Sequence, residues 1–413
     1  MSNSRFEKVF VKDLRIGMYV DQLDRPWLDT PFLVQGFVIK SVEELQALAE
    51  QCDYVYVDMG RSKVLRQPSL RQGPSKNALT SQRLQSILKT SVRPYEDSEK
   101  FSDEIVTARN VYADYEKMVS RFYDGVRLDK TVNMVQVQES VEQIVDSVIR
   151  NPDACMLLAR LKRKSDYSYN HAIGSSIWAA SMGRQLGLPK KVIISLSSGA
   201  LLMDAGKVQL SGRILNKTGQ LIPEEIKLVQ THVAKGLRLL ENSKGVDQVA
   251  LQMVRDHHER FNGKGYPRGL KADEISVYGR IGGIIDTYDA LINDKPYCQG
   301  IPPSDAIRVL YGVRNVDFQG ELVEQFIQAL GIYPAGSLVE LTNGEVGVVM
   351  SEHRHSRLRP KLLVLLDPLK KPYPHGRELD LFQTHTDEKG IKLEIARALS
   401  PGSFGIQLSD IVV

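Results

Sequence analysis

The sequence predicts a mainly α fold, a helical bundle flanked by small β-rich N-terminal and C-terminal domains. Three observations carry this. Residues 1–60 alternate apolar and polar positions in short runs; from about Phe101 to Leu330 apolar residues recur at helical spacing; and alternation returns after Gly331. The expected order is a β-rich domain over 1–60, a basic flexible linker over 61–100, a helical domain over 101–332 and a second β-rich domain over 333–413.

The 413 residues are enough for several domains, and 42% hydrophobic with 25% charged residues excludes wholesale disorder. The three cysteines, Cys52, Cys155 and Cys298, are odd in number and scattered, which argues against a secreted disulfide framework. The N-terminus lacks a long apolar run, and no stretch of about 18 apolar residues occurs anywhere. A cytoplasmic protein without a membrane partner is expected.

In the first domain VFVKDL, MYVDQL, FLVQGFVIK and DYVYVD read as strands. Between the last two, SVEELQALAEQC reads as a helix with Ser41 as N-cap and Glu44 three residues on, the spacing of a capping box. From Arg61 to Tyr95 eight basic residues and no acidic one occur, so the net charge of +4 hides a mildly acidic remainder. Ser, Gln and Pro suit this stretch to a solvated tether. No aromatic residue interleaves the charges before Tyr95, so nucleic-acid binding is not expected.

In the helical domain PEEIKLVQTHVAKGLRLL places Ile226, Val229, Val233, Leu237 and Leu240 on one continuous face. Similar faces run through Val141–Ile149, Ile173–Leu186, Val192–Leu202, Val246–Val254 and Ile281–Leu291, with Gly and Pro between them. The apolar helix near Phe101–Phe122 suits core packing and homodimerisation equally. After Gly331, SLVELTNGEVGVVM and KLLVLLD read as strands, with Asn343-Gly344 as a hairpin turn.

None of the eight histidines lies in the first 170 residues. His353, His355, His375 and His385 fall in the polar C-terminal part without a ligand pattern and read as solvated. His171, His232, His257 and His258 fall in the helical domain, with Asp204 in LLMDAGK and Asp286 in GIIDTYDAL nearby in sequence. His232 shares a face with Val229, Val233 and Gly236 and so points inward, where an ionisable group is costly unless paired or bound to metal. Singly these residues read as core; together, imidazoles and carboxylates on several helices are the means of building a metal site inside a bundle.

The segment DHHERFNGKGYP, residues 256–267, is more than a helix end with a glycine stop, which accounts for Gly263 and Pro267 but not for His-His-Glu-Arg. It resembles the signature of the HD-GYP family of bacterial cyclic di-GMP phosphodiesterases. LLMDAGK is similar to that family's Leu-Leu-His-Asp-Ile-Gly-Lys, RILNKTGQLIPEEIKLVQTHVAKG to the segment after it, and GRIGGIIDTYDALINDKPY to the segment ending in Arg-Pro-Tyr. The ordered matches run from about Tyr167 to Gln328, and residues 1–60 resemble an uncharacterised module found ahead of such domains.

The resemblance implies an HD-superfamily bundle holding two or three iron or manganese ions. It puts metal ligands on His171, Asp204, His232, His257, His258 and Asp286, with Asp204 bridging. Lys207 joins Asp204 as a catalytic residue and phosphate contact, and Lys295 and Tyr266 contact substrate. Lys295 stands where the family has Arg, keeping the charge without the bidentate fork. Two departures stand out. Met203 replaces the histidine of the HD pair and reads as a core residue, a soft thioether being a poor ligand for Mn²⁺ or Fe²⁺. Asn262 replaces an aspartate at a turn, an inexpensive exchange. Two sites are therefore expected, one weakened. The implied activity is hydrolysis of cyclic di-GMP to linear pGpG, with GMP as a further product left open. The alternative is a catalytically impaired receptor for cyclic di-GMP or a partner protein. Diguanylate cyclases or other signalling proteins are the partners the resemblance suggests.

Overall fold

The computed structural model describes residues 6–24, 37–39, 42–58, 62, 86–88, 91–128, 133–161, 167–241, 243, 245–295, 298–354 and 356–411. The chain divides into two units, Met1–Lys76 and Asn77–Val413.

In the first unit β1 (Phe6–Phe10), β2 (Tyr19–Leu23), β3 (Phe37–Val38) and β4 (Tyr54–Asp58) form an antiparallel sheet in the order β1-β4-β2-β3, and α1 (Val42–Gln51) precedes β4. Alternation is what buries one face: Val20, Val55 and Val57 meet Ile39 and Leu48 in a small apolar cluster. VFVKDL is strand only at Val9 and Phe10, because the chain tightens into a 3₁₀ turn at Val11–Asp13, closed by the Leu14 N–H on the Val11 carbonyl. Most of FLVQGFVIK and the Ser41 cap lie outside the described residues.

The expected linker 61–100 also lies mostly outside them. Its last ten residues are fastened to the second unit: Arg93 N–H donates to the Gly187 carbonyl at 2.8 Å, the Tyr95 hydroxyl to Leu188, and Arg184 pairs with Asp97 at 2.7 Å.

The second unit is built on α2 (Phe101–Arg127), α3 (Met134–Arg150), α4 (Pro152–Leu161), α5 (Tyr167–Gln185) and α6 (Lys190–Leu202). It continues with α7 (Gly212–Leu215), α8 (Pro223–Gln230), α9 (His232–Glu241), α10 (Gln248–Asp256), α11 (Val277–Ile292), α12 (Pro303–Gly312) and α13 (Gly320–Leu330). One apolar core runs through the bundle, and α5, α6 and α11 are buried on most sides. The apolar face of α2, including Ile105, Tyr112, Tyr115, Val119 and Phe122, is spent in that core, so it gives no separate sign of a dimer surface.

One departure from the expected helices matters for the site. PEEIKLVQTHVAKGLRLL is two helices, not one. They part at Thr231, whose N–H and hydroxyl both donate to the Leu228 carbonyl, a three-residue turn in place of α-helical bonding. Ile226 and Leu228 of α8 are exposed, whereas Val233 and Leu240 of α9 are buried.

The C-terminal sheet runs β8-β7-β6-β5-β9, from β5 (Leu338–Leu341), β6 (Val346–Ser351), β7 (Lys361–Leu366), β8 (Pro372–Asp380) and β9 (Ile395–Leu399). Asn343-Gly344 turns the β5–β6 hairpin, with Gly344 at φ +88°. Of the histidines read as solvated, His375 and His385 are exposed and His355 lies outside the described residues. His353 instead pairs with Asp380 at 2.9 Å. No helix among the described residues is long and apolar enough to cross a membrane.

Candidate metal centre

Helices of the bundle and the turns at their ends deliver every donor. Helix α6 ends at Leu202, Met203 caps it, and Asp204 follows at the head of a 3₁₀ turn that carries Lys207. His232 opens α9; His257 and His258 follow the end of α10; His171 and Asp286 lie on α5 and α11. Gly206 lets α9 come in close, since a Cβ there would fall 2.0 Å from the His232 carbonyl oxygen.

The carboxylate of Asp204 faces two ways. Oδ1 lies 3.2 Å from His232 Nε2 and 3.8 Å from His257 Nε2, while Oδ2 lies 3.2 Å from His171 Nε2 and also meets the Lys207 ammonium. His171 Nε2 is 3.4 Å from Asp286 Oδ1, and His258 Nδ1 is 3.7 Å from Asp286 Oδ2. Two donor sets result, each with its ligand atoms within 4.8 Å of one another: Asp204, His232, His257 and His258, and His171, Asp204 and Asp286.

Backbone carbonyls orient two of the imidazoles. His232 Nδ1 donates to the Val229 carbonyl at 2.7 Å and His257 Nδ1 to Val254 at 2.9 Å, which turns both Nε2 atoms toward Asp204. Asp204 Oδ1 and His258 Nε2 are buried without a hydrogen-bond partner among the described residues. Buried polar atoms of that kind are costly unless something binds them, and nitrogen and oxygen donors in these numbers suit a divalent transition metal. The residues fit a metal centre.

The electrostatics agree. Burial would raise the Asp204 carboxyl, but Lys207 and the three imidazoles outweigh it and hold the group well below the usual carboxylate range. Burial, with His257 beside it, pushes His258 well below the ordinary histidine value and keeps it in the neutral form that ligates. Burial also opposes charge on His171, yet Asp204, Asp286 and Asp289 together hold its pKa well above normal; the same negative field would attract a cation. The Lys295 ammonium is pushed down by burial, with Asp286 opposing and Lys207 adding to the shift.

The segment after α10 packs against the centre. Tyr266 stacks on His258 with ring centroids 4.5 Å apart. The buried Glu259 carboxylate accepts the backbone N–H groups of Arg268 and Leu270, each within 2.9 Å, and so ties the loop down. Gly265 is required by space: a Cβ would fall 2.5 Å or less from Arg260 N, Glu259 Cα and His258 O. Asn262 is a turn residue, its Oδ1 accepting from Lys264 N–H and its amide donating to Asp317. Met203 is fully buried in the main apolar core.

One residue escaped the sequence pattern. Asp289, one turn beyond Asp286, accepts from His171 Nδ1 at 2.7 Å, from the Trp178 indole at 2.8 Å and from the Asn293 amide at 2.6 Å.

Comparison with known proteins bears on this arrangement. An HD domain model matches residues 153–321, and a KOW domain associated with the HD domain matches 338–403. A domain of unknown function (DUF3391) matches residues 7–137. A cyclic di-GMP phosphodiesterase of Pseudomonas aeruginosa is 31% identical over 395 residues, 95% of this chain and 93% of its own length. The chain belongs to the HD-GYP family. Shorter matches include a cyclic di-GMP phosphodiesterase of Thermotoga maritima, 33% identical over 36% of this chain and 40% of its own. Another is the 3′3′-cGAMP-specific phosphodiesterase 3 of Vibrio cholerae, 33% identical over 41% of this chain and 37% of its own. A solved HD-GYP-type protein from Bdellovibrio bacteriovorus aligns at 17% identity and a TM-score of 0.46, over 78% of this chain and 98% of that one. Within the HD-GYP pattern, this chain's HD pair is Met203-Asp204.

Proposed function

We propose that the protein is a metal-dependent phosphodiesterase that hydrolyses cyclic di-GMP to linear pGpG. The observation that carries the reading is the divided carboxylate of Asp204, each oxygen facing a different donor set. The near full-length relative named as a cyclic di-GMP phosphodiesterase supports the substrate.

His232, His257, His258 and Asp204 would hold one cation, and His171, Asp204 and Asp286 the other. Iron or manganese suits these donors, and the second site has one protein ligand fewer because Met203 contributes none. Bound there, the cations supply Lewis acidity, lowering the pKa of water and neutralising charge that builds on the phosphate oxygens. Lys207 sets a point charge beside the phosphate, Lys295 adds a second, and Tyr266 forms one wall over His258. In the reaction, water's oxygen joins phosphorus, the bond from phosphorus to a ribose 3′-oxygen breaks, and that oxygen takes a proton, leaving a 5′-phosphate. A cytoplasmic location fits an odd, scattered set of three cysteines.

The rival is a receptor that binds the dinucleotide without cutting it, and Met203 is the observation in its favour. Purified protein incubated with Mn²⁺ and cyclic di-GMP, with nucleotides resolved by chromatography, separates the two. Linear pGpG is the expected product; binding with no product after prolonged incubation would establish the receptor instead.

A further inference from the structure

Asp289 and the groups around it form a second layer behind the centre. Its carboxylate is buried and receives three hydrogen bonds, the His171 ring and the Asn293 amide on Oδ2 and the Trp178 indole on Oδ1. The indole and the amide NH₂ can only donate, so the carboxylate must accept from both. His171, Gly174 and Trp178 line one face of α5, at spacings of three and four residues. Gly174 is what admits the carboxylate: a Cβ there would fall 2.5 Å from Asp289 Oδ1. An acceptor so enclosed and so fully engaged has its orientation fixed, and it meets His171 on the nitrogen that faces away from Asp204 and Asp286.

We propose that Asp289 is a positioning residue. By taking the Nδ1–H of His171 it fixes the ring and its tautomer, so that the Nε2 lone pair is presented between Asp204 and Asp286. The inference rests on the metal-dependent reading above and adds a consequence peculiar to this chain. With Met203 in place of an imidazole, the site made by His171, Asp204 and Asp286 has a single nitrogen donor. Its affinity then depends on Asp289, whereas His232 and His257 are oriented by backbone carbonyls and do not. Asp289→Asn keeps the shape but must point an NH₂ at one of its donors, so it cannot hold the ring as the carboxylate does.

The test is calorimetric titration of the apo full-length chain with Mn²⁺, with thermal unfolding of the apo proteins as a control for folding. Wild type should take up two equivalents. Asp289→Asn should keep the first and bind the second about ten- to a hundred-fold more weakly. Trp178→Phe, which removes one donor from Asp289 while keeping an aromatic ring in the core, should weaken the same step by less, and it carries the test if Asp289→Asn does not fold. Spectra of imidazole-¹⁵N-labelled protein should show a slowly exchanging His171 Nδ1–H that Asp289→Asn lacks. A folded Asp289→Asn that binds both ions as wild type does, or loses both equally, overturns the positioning role and leaves the metal centre standing. Wild type that binds no Mn²⁺ overturns both.

Discussion

Gly206 lies against the backbone of His232 so closely that a methyl group added to it would sit 2.0 Å from the His232 carbonyl oxygen and 2.5 Å from Gly236 N. Asp204 is two residues away, so this contact sets how near α9 comes to the carboxylate. Gly206→Ala should push α9 outward and move His232 Nε2 from its 3.2 Å approach to Asp204. Metal content after purification should fall together with phosphodiesterase activity, while the far-ultraviolet spectrum stays helical. Full metal content in Gly206→Ala would mean that the contact does not set the site.

Asp204→Ala removes the one side chain common to both donor sets. Turnover of cyclic di-GMP should drop at least about 1,000-fold, because several kcal/mol of charge stabilisation is lost with the cations. Initial rates at saturating Mn²⁺ measure this, and survival of even one tenth of the activity would show that the chemistry happens elsewhere.

Met203→His restores an imidazole beside Asp204. Met203 is buried at the C-cap of α6, next to Asp204 in the chain. Mn²⁺ affinity at the weaker site should rise about ten-fold or more, and the rate at low Mn²⁺ should rise with it. An unchanged titration would place the limitation outside the HD pair.

The boundary between the bundle and the C-terminal sheet yields a pH prediction. Glu352 is enclosed, its N–H donating to Asp153 at 3.0 Å, and its carboxyl is pushed up to about 8, chiefly by burial and then by Asp153, against the opposing Arg357 and Arg354. The unfolded chain releases this proton near 4.5, so between about 4.5 and 8 only the folded chain holds it. Raising the pH through that window therefore favours unfolding. Glu352→Gln removes the ionisation and should stabilise the protein at pH 8 by about 2–4 kcal/mol, with the gain vanishing near pH 5. Denaturant titrations at the two pH values check this; an equal effect at both would remove the buried carboxyl as the cause.

Much of the architecture could be read from periodicity, because strands with one buried face and helices around one core print their burial on the sequence. The β5–β6 hairpin is an example: Asn343-Gly344 supplies the positive φ that its turn needs. The break at Thr231 left no such print, since the four-residue step from Val229 to Val233 continues the helical spacing across it. Strand β8 is mostly exposed and contains two prolines and a glycine, so alternation has nothing to mark. At the centre, motif spacing supplied the donors but not Asp289, whose role depends on α5 and α11 lying side by side. A signal existed: a second acid one turn after Asp286 on an otherwise apolar helix has to find a partner inside.

The account stands on two cations sharing Asp204, and anomalous diffraction at the manganese edge from Mn²⁺-soaked crystals tests that most directly. Two peaks are predicted, one among Asp204, His232, His257 and His258 and a weaker one among His171, Asp204 and Asp286. A map with no peak beside Asp204 in fully loaded crystals would contradict it.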